Sequence, residues 1–149
     1  MAVFVINEWL WADLSGSNGN EAQREAFGVI ENLPSSDHRI VIIEGSKFDQ
    51  KAWNLCGNTH PMTVQRIAGI YVSTVRVNAD RCQILKPEAV VDIPQNLASA
   101  TKPDDHYLIQ ALLTVQGAIL VTTDNPLREV IGRAGLGCMT REEFLSSYF

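Results

Sequence analysis

Three short, continuously apolar runs constrain the fold of this chain more than any other feature. They occupy residues 2–6, 40–43 and 118–121. Each is too short for a buried helix, and an unbroken apolar run is typical of a strand covered on both faces. Segments with helical patterning separate the runs. Because strands that alternate with helices favour parallel pairing, we predict an α/β fold, a three-layer α/β/α sandwich with a mostly parallel central sheet.

Length and composition narrow the class of protein. With 149 residues, the chain is most simply one domain over residues 1–149, large enough to bury an ordinary core. No apolar run approaches membrane-spanning length, and the N-terminus lacks a basic segment followed by an apolar one, so we expect a cytoplasmic protein without membrane contact. The three cysteines are widely spaced, which argues against a disulfide framework. A net charge of −5 argues against strong non-specific nucleic-acid binding, although an enzyme acting on nucleic acid remains compatible with it.

An apolar stripe predicts a helix just before the third run. Its members follow the spacing i, i+3, i+4, i+7 and are Leu108, Ala111, Leu112 and Val115. Thr101 is the expected N-cap, with Asp104 three residues later, and Gly117 is the expected stop. An acidic pair, Asp104 and Asp105, therefore opens this helix.

The other elements are predicted from turn and capping signals. We expect helices over residues 20–33, 47–55, 61–72, 125–135 and 140–149, and further short strands at residues 81–85, 90–93 and 137–139, the last at a sheet edge. Asn20 with Gln23, Ser46 with Asp49, and Thr140 with Glu143 are expected capping pairs. Asn125 followed by Pro126 is the expected N-cap and first helical residue.

Polar residues follow the apolar runs where the strands end. In a parallel sheet these ends lie at one edge, together with the N-terminus of a helix packed antiparallel to the strands. The residues placed there are Asn7, Glu8, Glu44 and Asp124, joined from the helix start by Asp104 and Asp105. Converging carboxylates are typical ligands of a hard divalent cation, so this edge is a predicted metal site.

Two segments in this region resemble a PIN domain, a metal-dependent ribonuclease fold of many prokaryotic toxins and RNA-processing factors. They read Asp-Asp-x-x-Leu-Ile-x-Ala from residue 104 and Ile-Leu-Val-Thr-Thr-Asp-x-x-Leu from residue 119. The order of strands, helices and acids along nearly the whole chain agrees with that family, although only the last third is specific. The resemblance implies that acids hold Mg²⁺ or Mn²⁺ for hydrolysis of RNA phosphodiesters.

The resemblance assigns roles to individual positions. Asp124 matches the acid after Thr-Thr, and Asp105, or else Asp104, matches the acid at the helix start. Asn7 stands where the family usually has aspartate, and the adjacent Glu8 is a candidate substitute. The middle acid stays open between two residues. They are Glu44, at a strand end, and Asp49, in the following helix.

The same resemblance implies partners and a rival interpretation. RNA is the expected substrate, a homodimer the expected assembly, and an antitoxin protein a further expected partner. Residues expected to meet RNA are Thr122, Thr123, Asn125 and Lys47, although Lys47 with Lys51 equally suits a solvated helix face. At least two of the three tryptophans are expected in the core. Because Asn7 brings no charge, the alternative is a catalytically silent PIN-like scaffold that binds protein or RNA.

Overall fold

A five-stranded, all-parallel sheet forms the centre of the computed structural model, which describes all 149 residues. Its strands are β1 (Val3–Ile6), β2 (Arg39–Ile43), β3 (Cys82–Leu85), β4 (Ile119–Val121) and β5 (Gly137–Met139). The strand order is β3-β2-β1-β4-β5, so the first strand lies in the middle and the chain reverses direction across the sheet after β3. The predicted α/β class is confirmed, as are the strands near residues 81–85 and 137–139.

Eight α-helices surround the sheet. They are α1 (Trp9–Leu14), α2 (Asn20–Asn32), α3 (Lys47–Leu55), α4 (Met62–Tyr71), α5 (Gln95–Ala100), α6 (His106–Thr114), α7 (Asn125–Arg133) and α8 (Arg141–Tyr148). A π-helical turn, Val72–Arg76, extends α4. None of these helices has the length and apolar character needed to cross a membrane.

Alternate residues of each inner strand pack into two separate apolar clusters, one on each face of the sheet. Phe4 and Ile6 join the cluster formed with α1–α4 and α8, whereas Val5 joins the cluster formed with α5–α7. Both faces of β1 are therefore covered, which explains its unbroken apolar sequence. Trp9 and Trp11 lie in the first cluster and Trp53 is 48% exposed, so the prediction of two core tryptophans is confirmed.

The acidic pair lies just before α6 and not inside it, which corrects the predicted helix start. Pro103–Asp105 forms a separate 3₁₀ turn, and α6 begins at His106 with Asp105 as its N-cap residue. The residue before Pro103 is extended, as proline demands of its predecessor. Thr101 donates its hydroxyl to the carbonyl of Leu97 and caps nothing at α6. The helix also ends before the expected stop, at Thr114.

Two other predicted N-caps were wrong by one residue. Asp124, not Asn125, caps α7, because its Oδ1 accepts a hydrogen bond from the backbone N–H of Leu127 at 3.1 Å. Gly19 is the N-cap residue of α2, and Gln23 reaches back to the carbonyl of Leu14. The capping pairs at Ser46 and Thr140 are confirmed.

Residues 90–93 do not form the predicted strand. The backbone N–H of Val91 donates to Thr114 Oγ1 at 2.9 Å, and the carbonyl of Val91 accepts from Gln110 Nε2 at 3.3 Å. Side chains of α6 therefore satisfy the backbone groups that a strand would use in a ladder. Pro94 follows at once and begins the approach to α5.

Candidate functional site

The ends of β1 and β4 are joined by the hydroxyl of Thr122. Asn7 Nδ2 donates to Thr122 Oγ1 at 3.0 Å, and the backbone N–H of Asp124 donates to the same oxygen at 3.1 Å. Thr122 is fully buried, so it fixes the two strand ends relative to each other and does not face a substrate. Of the other residues expected to meet RNA, Thr123, Asn125 and Lys47 are exposed.

Asn7 is engaged through both ends of its amide. Besides the bond to Thr122, its Oδ1 accepts a hydrogen bond from the backbone N–H of Glu8 at 2.7 Å. An amide can donate and accept at once, whereas an ionised carboxylate can only accept. Asn7 therefore holds the turn after β1.

Glu8 reaches towards α3 and α6. Its Oε1 lies 2.6 Å from Lys51 Nζ, and its Oε2 accepts from the Tyr107 hydroxyl at 3.1 Å. Burial, followed by the nearby charge of Glu8, raises the pKa of Tyr107 above its ordinary value, so the phenol stays a proton donor. Tyr107 was not predicted from the sequence. The signal that could have identified it is its position in the first turn of α6, two residues after Asp105.

Asp105 and Asp124 are the two acids of the predicted set that take part in no ion pair. Burial is the main cause that raises the pKa of Asp105, and the charges of Asp124 and Glu8 raise it further. Asp105 and Asp124 also line one small cleft of about 130 Å³, between α5 and the start of α7. The structure therefore brings these two acids together at one cleft, with Glu8 close enough to act on Asp105 electrostatically.

The remaining acids are paired with cations. Asp104 Oδ1 lies 2.7 Å from Lys47 Nζ, and this contact lowers the pKa of Asp104. Glu44 Oε2 lies 2.7 Å from Lys86 Nζ, on the side of β2 away from β1. The two lysines of α3 thus contact Asp104 and Glu8, whereas Glu44 pairs with Lys86.

Asp49 is an internal structural residue. It is 2% exposed and accepts two hydrogen bonds from the Arg76 guanidinium, at 2.7 and 2.9 Å, and one from the backbone N–H of Gly45 at 3.0 Å. Burial raises the pKa of Asp49, but the hydrogen bonds from Arg76 and Gly45 outweigh burial and lower it. Of the two candidates for the middle acid, Glu44 alone keeps an accessible carboxylate.

The donor chemistry at this edge suits a hard divalent cation. Asp105 and Asp124 supply carboxylate oxygens without a cationic partner, and mutual repulsion of such groups is relieved by a bound ion. No three Asp, Glu, His or Cys side chains are already arranged as a complete ligand set. Glu8 can complete such a set only if its carboxylate leaves Lys51 and binds the ion instead.

Substitution of Asp105 by asparagine is expected to stabilise the metal-free protein at pH 7. Folding raises the pKa of Asp105, so the ionised carboxylate is less favourable in the folded state than in the unfolded chain. The stability that the protonated carboxyl group contributes is therefore present at a pH below the ordinary pKa of 3.8, and it is lost as the pH rises through the folded pKa. Asparagine carries no charge, so the substitution should raise the free energy of unfolding at pH 7 by about 0.5–1 kcal/mol. Thermal unfolding in EDTA measures it, and the gain should shrink as the pH is lowered towards 4.

The control for this prediction is Asp92→Asn, which neutralises an exposed acid outside the site. It should leave the unfolding temperature unchanged at both pH values. An Asp105→Asn protein no more stable than the wild type at pH 7 would contradict the destabilisation of the ionised Asp105 carboxylate by burial and by the charges of Asp124 and Glu8.

The site can thus be described through its own contacts: two unpaired carboxylates, a third held by a lysine and a tyrosine, and a buried threonine that joins the strand ends. Comparison of the chain with protein-family models, with curated proteins and with solved structures found no match.

Proposed function

We propose that this protein is a metal-dependent endoribonuclease of PIN type, toxin-like or RNA-processing, that hydrolyses RNA phosphodiesters. The observation that carries the proposal is the pair of unpaired carboxylates, Asp105 and Asp124, at the C-terminal edge of a parallel sheet. Ligand sites of open α/β sheets lie at this edge, where the strand order reverses. Here the reversal lies between β1 and β4, the strands that Asn7 and Thr122 join.

Each residue near this edge has a definable part in such a reaction. Asp105 and Asp124 would hold Mg²⁺ or Mn²⁺, with Glu8, Asp104 or Glu44 as further ligands. The ion, when bound, supplies the charge that activates water and stabilises the phosphate oxygens. Asn7 keeps the turn after β1 in place through Thr122 and the backbone of Glu8. Lys47, which lies beside Asp104, is suited to contact an RNA phosphate.

Titration of Mn²⁺ by calorimetry tests the proposal, with the wild type compared with Asp124→Asn. We expect saturable binding to the wild type and binding at least about tenfold weaker in the variant, because one charged ligand is lost. Asparagine caps helices as well as aspartate does, so the bond to Leu127 and the start of α7 should persist. Cleavage of a panel of RNAs should depend on Mn²⁺ and fall with its affinity.

Asp92→Asn is the matched control for this titration, since it removes one exposed acid and leaves the site intact. It should bind Mn²⁺ as the wild type does. Absence of Mn²⁺ binding in folded wild-type protein would contradict the proposal. So would binding that is equally strong in Asp124→Asn.

A catalytically silent PIN-like scaffold, acting as a protein or RNA binding module, is the second candidate function. It is favoured by the ion pairs that already neutralise Glu8, Glu44, Asp49 and Asp104, and by the uncharged Asn7. This candidate predicts neither stabilisation by Mn²⁺ nor RNA cleavage. Under either function a homodimer, an antitoxin protein and a cytoplasmic location remain proposals, each testable by purification of the protein from its native cells.

A further inference from the structure

A groove runs along one face of α3 and ends beside the candidate site. A cleft of about 490 Å³ is lined by Glu8 and by four residues of α3, namely Lys47, Gln50, Lys51 and Asn54. Those four have the spacing i, i+3, i+4, i+7 and therefore share one helix face. A second cleft of about 260 Å³ shares Lys51 and Asn54 and adds the side chains of Ser15, Ser17 and His60. We call the two clefts together the α3 groove.

The two lysines of the α3 groove neutralise acids at its end. Lys51 lies 2.6 Å from Glu8, and Lys47 lies 2.7 Å from Asp104. Both lysines are about half-exposed, and ion pairs in such positions contribute about 0–1 kcal/mol. A stronger ligand for the carboxylates can therefore displace either lysine at small cost. The buried pair of Asp49 and Arg76 has no such freedom.

We infer that Lys47 and Lys51 are exchangeable counter-ions: they neutralise Asp104 and Glu8 in the metal-free protein and bind the phosphates of single-stranded RNA when a divalent cation takes the carboxylates. This inference rests on the proposed function. The exchange leaves the net charge around the acids unchanged, because the two positive charges that leave Asp104 and Glu8 are replaced by the two of the cation. It also makes binding of the metal and of RNA mutually reinforcing.

The chemistry of the groove favours a single strand. Two released ammonium groups suit backbone phosphates, whereas the amides of Gln50 and Asn54 suit the base edges that an unpaired strand exposes. Glu8 is the one acid that lines either cleft, although the whole chain carries a net charge of −5. The positive charge that a polyanion requires is thus concentrated beside the candidate site.

The exchange predicts opposite effects of one double variant on two ligands. In Lys47→Gln/Lys51→Gln the carboxylates lose their competing cations, so Mn²⁺ should bind about threefold to tenfold more tightly in calorimetry. The same variant should bind a phosphorothioate-linked single-stranded RNA 12-mer at least about tenfold more weakly in the presence of Mn²⁺. Fluorescence anisotropy of the labelled oligonucleotide measures the second effect without cleavage.

A matched control removes the same charge elsewhere. Arg24→Gln/Arg133→Gln neutralises two exposed cations outside the groove and should leave both affinities within twofold of the wild type. Weaker or unchanged Mn²⁺ binding in the lysine variant would overturn the exchange while leaving the proposed function intact. Equal affinity for duplex RNA would overturn the assignment of a single strand. A folded wild type that binds no Mn²⁺ would overturn the proposed function and the exchange together.

Discussion

Replacement of Arg76 by alanine is expected to lower the free energy of unfolding by about 3–5 kcal/mol. The Asp49 carboxylate would keep only the bond from Gly45 and would stay buried without a counter-charge. Arg76 also lies over the Trp53 ring, 5.1 Å from its centroid, so packing is lost together with charge. Urea unfolding followed by circular dichroism measures the change without relying on Trp53 fluorescence.

Arg66→Ala is the control, because Arg66 is an exposed arginine of α4 and its removal should cost no more than about 0.5 kcal/mol. Replacing both members of the buried pair, in Asp49→Leu/Arg76→Met, should restore most of the stability, since no buried charge is then left. The double variant should still bind Mn²⁺ if Asp49 is not a ligand. A loss below about 1 kcal/mol for Arg76→Ala would contradict the structural role of the pair.

Replacement of Arg141 by alanine should be about as damaging, at about 3–5 kcal/mol. Arg141 Nε lies 2.7 Å from Asp13 Oδ2, and Asp13 is 2% exposed. The guanidinium also lies over the Trp9 ring, 5.5 Å from its centroid. These contacts attach the start of α8 to α1, so their loss weakens this attachment and leaves the Asp13 carboxylate with the amide of Asn18 alone.

Arg141→Lys distinguishes the contributions to this effect. Lysine keeps the charge but lacks the planar fork that pairs with a carboxylate and stacks on a ring at once, so its stability should fall between those of the wild type and the alanine variant. Thermal unfolding of all three proteins at one pH provides the comparison. Equal stability of the lysine and alanine variants would show that charge contributes nothing here.

The sequence predicted the strands of the sheet well because burial on both faces leaves a local signature. Residues 2–6, 40–43 and 118–121 are apolar at every position, and no partner has to be known to recognise this pattern. Residues 90–93 had a similar composition, but their backbone bonds to Thr114 and Gln110 of α6. That outcome depends on how a helix made later in the chain packs, which local sequence does not encode.

For the candidate site too, features set by local sequence could be predicted and features set by packing could not. The edge where Asn7, Asp105 and Asp124 meet was predictable, because the ends of parallel strands must lie on one side. The neutralising partners were not predictable, because Lys51 meets Glu8 and Lys47 meets Asp104 only after α3 and α6 have packed. The cap at Asp124 was missed by one residue because both Asp and Asn favour that position.

The central position of the first strand bears on synthesis of the chain by the ribosome. β1 pairs with β2 from residue 39 onwards, but its other edge pairs only with β4, from residue 119. A nascent chain that has not yet reached β4 carries an open strand edge, which can pair with a second chain. It also lacks Asp124 and the Thr122 bond to Asn7. The candidate site can therefore form only in chains whose translation has passed the fourth strand.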